Sequence, residues 1–150
     1  MTAEKHVCKS AEECVIGSTQ AAFSVYGDRT NYLLQNPDSK KVSKYIVDNC
    51  LLTNLKEEEK CDYLFEVAGN NTIDGYFVEL KGSDVIKAID QLINSIKNLK
   101  GRINGNCFGR IVCSRFPKAP ETKRSTAYLR LMKLTERNLV IKSQQLIESV

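Results

Sequence analysis

The strongest constraint on the fold is an apolar run that ends in charge. Asp74-Gly-Tyr-Phe-Val-Glu-Leu-Lys81 is rich in aromatic and aliphatic residues, the composition of a pleated, half-buried strand. A second run of this type, Cys61-Asp-Tyr-Leu-Phe-Glu-Val67, precedes it. The connection Ala68-Gly-Asn-Asn-Thr72 is hairpin chemistry, because Gly and Asn tolerate positive φ. An antiparallel pair is expected. Alternation puts Phe77, Glu79 and Lys81 on one side of the second strand and Tyr76, Val78 and Leu80 on the other. Apolar residues on both sides call for cover on both faces.

After Gly82-Ser83, with Ser83 a good helix cap, Val85, Ile86, Ala88, Ile89, Leu92, Ile93, Ile96 and Leu99 recur at three- and four-residue spacing and predict an amphipathic helix. Further on, the sequence predicts a loop over Gly101–Asn106, a strand over Phe108–Ser114 and a rigid connector, Phe116–Pro120. A basic helix over about Glu121–Arg137 and a last strand over Leu139–Ser143 complete that half. Upstream, Ser10–Tyr26 predicts a helix broken at Gly27, and Asp28–Lys41, with Asn36-Pro37-Asp38, a loop. Val42–Leu52 is a helix, a strand, or one running into the other. Lys56–Lys60 is a charged, solvated turn. This order predicts an α/β sandwich with a mixed sheet. The 150 residues fit one domain, with 1–41 appended to a core over 42–143.

Hydrophobic residues at 42% and charged residues at 27% exclude a disordered or fibrous chain. No segment approaches a membrane span, and Met1-Thr-Ala-Glu-Lys-His lacks a signal-peptide design, so a soluble, cytoplasmic protein is expected. The six cysteines form no CxxC pair. Reduced, mostly buried thiols are expected, with a disulfide set or a structural zinc as the alternatives. The net charge of +4 divides unevenly: residues 1–96 carry 10 basic and 15 acidic side chains, residues 97–142 carry 12 basic and two acidic.

Asp62, Leu64 and Glu66 share a face of the first strand, so antiparallel pairing can bring Asp62 or Glu66 beside Glu79. Two carboxylates and Lys81 then converge. This donor set suits metal-assisted phosphodiester hydrolysis, since Mg²⁺ takes oxygen ligands from carboxylates and phosphate, while a lysine orients or deprotonates water and offsets developing charge. The competing explanation is a solvent-exposed edge strand that uses Glu79 and Lys81 against aggregation.

Asp62 near the start of one strand and Glu79-Leu80-Lys81 ending the next, followed by an amphipathic helix and a further strand, resemble the PD-(D/E)xK nuclease superfamily over roughly Val42 to Ser143. The resemblance implies a restriction-endonuclease-like αβββαβ core, its mixed sheet flanked by helices. It also implies that Asp62 and Glu79 bind Mg²⁺ (or Mn²⁺), that the Leu80 carbonyl adds a third ligand, and that Lys81 acts on the attacking water. Cys61 stands where the superfamily's name has proline. Gln91 is similar to the helix glutamine of RecB-like members, a supporting catalytic residue, although the helical wheel puts it about 140° from the apolar centre, as for an ordinary surface residue. Asp48 and Glu66 are further candidate carboxylates, each with a structural alternative. His6, the sole histidine, is not expected to act.

The basic block, Lys97 to Arg137, is a candidate phosphate-binding surface. Arg115, Lys123 and Arg124 are the expected nucleic-acid contacts, with a solvated cationic helix as the alternative. No helix-turn-helix, zinc finger or aromatic stacking platform is apparent. The expected function is a Mg²⁺-dependent nuclease acting on nucleic acid, DNA rather than RNA, alone, as a homodimer or with a partner subunit. The alternative is a catalytically inactive module of the same fold that binds nucleic acid or protein.

Overall fold

The computed structural model describes residues 15–48, 50, 52 and 59–150. Nine strands and three helices follow in the order β1 (Val15–Ser18), β2 (Ala22–Gly27), β3 (Thr30–Gln35), β4 (Val42–Ile46), β5 (Tyr63–Ala68), β6 (Ile73–Lys81), α1 (Val85–Leu99), β7 (Cys107–Cys113), α2 (Ala119–Lys123), α3 (Thr126–Leu134), β8 (Leu139–Ser143) and β9 (Gln145–Ser149). The fold is mixed α/β. A six-stranded sheet runs β1-β4-β5-β6-β7-β8, antiparallel as far as β6 and parallel from β6 to β8. A three-stranded sheet, β2-β3-β9, lies against its other face.

The β5–β6 hairpin forms as expected, with Tyr63 opposite Val78 and Glu66 opposite Gly75. Strand β6 is central and covered on both sides. Phe77 enters the core beneath α1 with Leu64, Ile89, Leu92 and Ile111, and Val78 enters the core shared with the small sheet alongside Phe65, Tyr32 and Leu34. Helix α1 spans the predicted residues, but its cap is Asp84, whose carboxylate accepts the Lys87 N–H at 3.1 Å, and not Ser83.

Three expectations are corrected, and one alternative left open, over Val42–Leu52, is resolved. In place of a helix over Ser10–Tyr26, the described part from residue 15 forms β1 and β2. Phe23 and Val25 are buried while their neighbours are exposed, a period of two that overrides the helical propensity of the alanines. The predicted loop over Asp28–Lys41 contains β3, paired with β2. Val42–Leu52 begins as a strand, β4. The basic helix is broken in two: α2 follows Lys118, which stands in the left-handed region (φ 56°), has Pro120 in its first turn and ends at Lys123, and Ser125 caps α3 afresh by accepting the Tyr128 N–H at 3.2 Å. Strand β9 was not anticipated. Gln144, at φ 67°, turns the chain out of the large sheet, and β9 joins β3 in parallel.

Cys61, Cys107 and Cys113 are free, as expected, whereas Cys50 is disulfide-bonded, against the expectation of reduced thiols. Pairing depends on which Cβ atoms the fold brings within about 4 Å, and spacing alone does not encode it. His6, Cys8, Cys14 and most of the charged turn lie outside the described residues. Among the described residues no helix is long and apolar enough to cross a membrane.

The two sheets are tied by a buried polar network. Glu148 on β9 accepts the Tyr32 hydroxyl at 2.8 Å and the Arg110 Nε at 2.7 Å, and Arg110 Nη1 donates to the carbonyls of Gly109 and Asn138. The guanidinium also lies over Tyr76 and Phe108, whose rings stack at 4.4 Å. Removing one partner strands the other in a poorly hydrated position. Arg110→Ala is expected to cost about 3 kcal/mol, read as a lower urea midpoint at unchanged slope.

Candidate active site

The charged end of β6 lies past the last β5 ladder pair, Tyr63 with Val78. Backbone groups there would lose their partners, and two side chains replace them. The Glu79 carboxylate (Oε1) accepts the Asp62 N–H at 3.0 Å, and the Asp62 carboxylate (Oδ2) accepts the Leu80 N–H at 3.0 Å. Each acid is thus fixed by the other's strand, and the two carboxyl groups are near enough for each to act on the other's proton affinity. The Leu80 carbonyl lies on the same strand edge as its N–H, since N–H and C=O of one strand residue face one neighbour.

Lys81 closes the group. Its Nζ donates to Gln91 Oε1 at 3.0 Å and stands 3.8 Å from Glu79 Oε2. Gln91 is buried, not on an open face as the wheel suggested, and its Nε2 donates to the Lys60 carbonyl at 3.1 Å. Two neighbours on α1 extend this hold. Ser95 Oγ accepts the Cys61 N–H at 2.8 Å, and Asn94 Nδ2 donates to the Glu59 carbonyl at 3.1 Å. The three α1 side chains therefore fasten the backbone of 59–61, the segment that delivers Asp62. Ser95 and Asn94 were missed by the sequence reasoning. Their signal was polar residues three and four positions from Gln91, on the same helical side.

Glu79 is 1% exposed. Burial, and then the negative charge and hydrogen bond of Asp62, push its carboxyl up to about 9, against a smaller lowering by Lys81. Burial also pushes Asp62 up. The Leu80 N–H opposes that, and the charge of Asp48 adds to it. Two adjacent buried acids cannot both be ionised cheaply without a cation.

The remaining candidates divide. Asp48 is near enough for its charge to act on Asp62. Glu66 is held at the other end of the hairpin by Arg102, at 3.0 and 3.2 Å, and does not reach Glu79. Among the described residues no three acidic, histidine or cysteine side chains come together as a metal-holding group, so any ion here would rest on Asp62, Glu79 and backbone or solvent oxygens. Mg²⁺ accepts such a set, since it is commonly bound by one or two carboxylates and keeps several waters. The donors are all hard oxygens, and the pair is short of one positive charge. The residues fit the ion.

Beside Lys81 a cleft of about 230 Å³ runs between Leu80–Gly82, Ser114 and the β2–β3 turn. It shares Arg29 and Ser114 with a larger open groove of about 810 Å³, to which Arg115 contributes. Of the expected nucleic-acid contacts only Arg115 lines it. Lys123 and Arg124, at the end of α2, line neither space. Arg102 and Arg110 of the basic block are engaged with Glu66 and Glu148. No known protein family, characterised protein or solved structure matches the chain.

The acid pair makes stability depend on pH. A carboxyl held above its unfolded value of 4.5 binds a proton in the native state that the unfolded state has released, so its stabilisation is complete below pH 4.5 and is lost as pH rises toward about 9. Around Glu79 the charge of Lys81 and the Asp62 N–H oppose this, while the Asp62 carboxylate, and Asp48 beyond it, reinforce it. The metal-free protein should therefore melt at a lower temperature at pH 8.5 than at pH 5.5, and Glu79→Gln should flatten this difference in a thermal melt.

Proposed function

We propose that the chain is a metal-dependent nuclease that hydrolyses phosphodiester bonds in nucleic acid, DNA rather than RNA, at the Asp62–Glu79–Lys81 group. The observation that carries this reading is the reciprocal lock of Asp62 and Glu79 with Lys81 held beside them by Gln91. The strand and helix order β4-β5-β6-α1-β7 supports a restriction-endonuclease-like core. The helix that would lead such a core is absent from the described residues, where β1–β3 precede β4.

In this reading Asp62, Glu79 and the Leu80 carbonyl would hold Mg²⁺, for which Mn²⁺ could substitute. The ion, when bound, supplies Lewis acidity at the phosphoryl group and a source of acidified water. Asp62 and Glu79 must be ionised to bind it, so affinity rises with pH. Lys81 holds a proton at Nζ within reach of the group, where it orients the attacking water and offsets charge developing on phosphate oxygens. Gln91 is a positioning residue. Its carbonyl oxygen keeps Nζ from closing onto Glu79, and its amide anchors the segment that carries Asp62.

The test is cleavage of DNA in Mg²⁺ by the full chain. Lys81→Ala and Glu79→Gln should each lower kcat by about 100-fold or more, while circular dichroism shows the fold retained. Gln91→Ala should lower kcat with KM nearly unchanged. Cleavage undiminished in both Lys81→Ala and Glu79→Gln would overturn the assignment, and salt-sensitive binding by the wild type without turnover in any metal would identify an inactive binding module.

A further inference from the structure

We infer that the groove beside Lys81 binds a single-stranded segment of the substrate, its phosphates on Arg29 and Arg115 and a base stacked on Tyr26. This rests on the nuclease reading for the purpose of the groove, but not for its existence.

The groove is lined by donors. Arg29 and Arg115 supply two guanidinium groups, Ser83 and Ser114 hydroxyls, and Asn31 and Gln144 amides, with no carboxylate among them, while the adjoining cleft beside Lys81 has one, Asp28. Unlike Arg102 and Arg110, neither Arg29 nor Arg115 has an ion-pair partner among the described residues. Two uncompensated guanidinium groups over hydroxyls and amides make a surface for phosphodiester oxygens. The smaller cleft shares Arg29 and Ser114 with the groove and is lined by Asp28, Leu80 and Lys81, so the groove adjoins the proposed reaction centre at Lys81, while Asp62 and Glu79 line neither space.

The chain spends conformational energy to build this wall. Arg29 at φ 59° and Gln144 at φ 67° are non-glycine residues in the left-handed region, one in the β2–β3 turn and the other at the β8–β9 turn. Both flank a cross-strand row in which Asn31 pairs with Tyr26 on one side and with Gln145 on the other. Partnered residues point to the same face, so Tyr26 stands on the face from which Asn31 and Gln145 line the groove. Its ring is 72% exposed and is the most open large apolar side chain of the described residues. An exposed aromatic ring beside a cationic track suits an unpaired base, whose face is free to stack, and not a duplex, whose bases stack on each other.

The test is fluorescence anisotropy with the full chain in EDTA, so that binding is read without turnover, using labelled single-stranded DNA, a blunt duplex of the same sequence, and a mononucleotide as competitor. The single strand should bind more tightly than the duplex. Tyr26→Ala should weaken single-strand binding by about tenfold with the salt slope unchanged, and Arg29→Ala and Arg115→Ala should each reduce the slope of log affinity against log salt by about one. Equal affinity for duplex and single strand, an unchanged salt slope in Arg29→Ala, or displacement by mononucleotide as effective as by the oligonucleotide would overturn the inference. A wild type that binds as described but does not cut in Mg²⁺ would overturn the nuclease reading and leave the groove assignment standing.

Discussion

Everything at the site depends on a substitution of side chain for backbone where β5 stops short of the end of β6. Two backbone N–H groups there have no strand to bond, and Asp62 and Glu79 each accept one from the other's strand at 3.0 Å. The bonds hold both acids where their charges oppose one another. An unsatisfied buried N–H costs on the order of 1–3 kcal/mol, so the arrangement is favourable locally even as it raises the acids' proton affinity. The same two bonds complete the sheet and hold the two acids side by side.

Polar groups on α1 give that arrangement its rigidity. A helix whose only task was to cover the sheet would bury apolar residues alone, yet α1 buries Gln91 and Ser95 among Ile89, Leu92 and Ile96. Both are satisfied, Gln91 by Lys81 and the Lys60 carbonyl, Ser95 by the Cys61 N–H and the Gln91 carbonyl. Satisfied buried polar groups specify one arrangement of their neighbours. Here they fix the lysine and the segment leading to Asp62 in a single frame. Replacing the Glu79 charge would relieve the repulsion between the two acids.

The sequence made the centre of the molecule readable and left its periphery obscure. The β5–β6 hairpin, α1 and the meeting of Asp62, Glu79 and Lys81 follow from strong, local signals: alternation, a Gly-Asn-Asn turn and a three-to-four periodicity. Gln91 was legible as a candidate residue but not in its burial, because a wheel registers only hydrophobicity and cannot see the Lys60 carbonyl packed above the helix. Strands β2 and β3 hid behind alanines and a proline-containing turn, and β9 behind its charged and polar residues. Their pattern becomes visible only once the large sheet offers a face to cover. The arginines at 102 and 110 look alike in the sequence to Arg29 and Arg115. Only their partners, Glu66 and Glu148, distinguish structural cations from free ones.

The parallel union of β3 with β9 separates the two parts of the site in the order of folding. Asp62, Glu79, Lys81 and Gln91 meet through contacts spanning 17, 18 and 10 positions, whereas Tyr32 reaches Glu148 across 116. Closing a long loop costs more entropy than closing a short one, and pairings between distant segments form late. The acid pair and its lysine thus belong to a hairpin–helix unit that can assemble early. The groove wall at Asn31 and Gln145 waits for the small sheet to close. A chain caught between these stages would carry the Asp62–Glu79–Lys81 group before the groove wall was built.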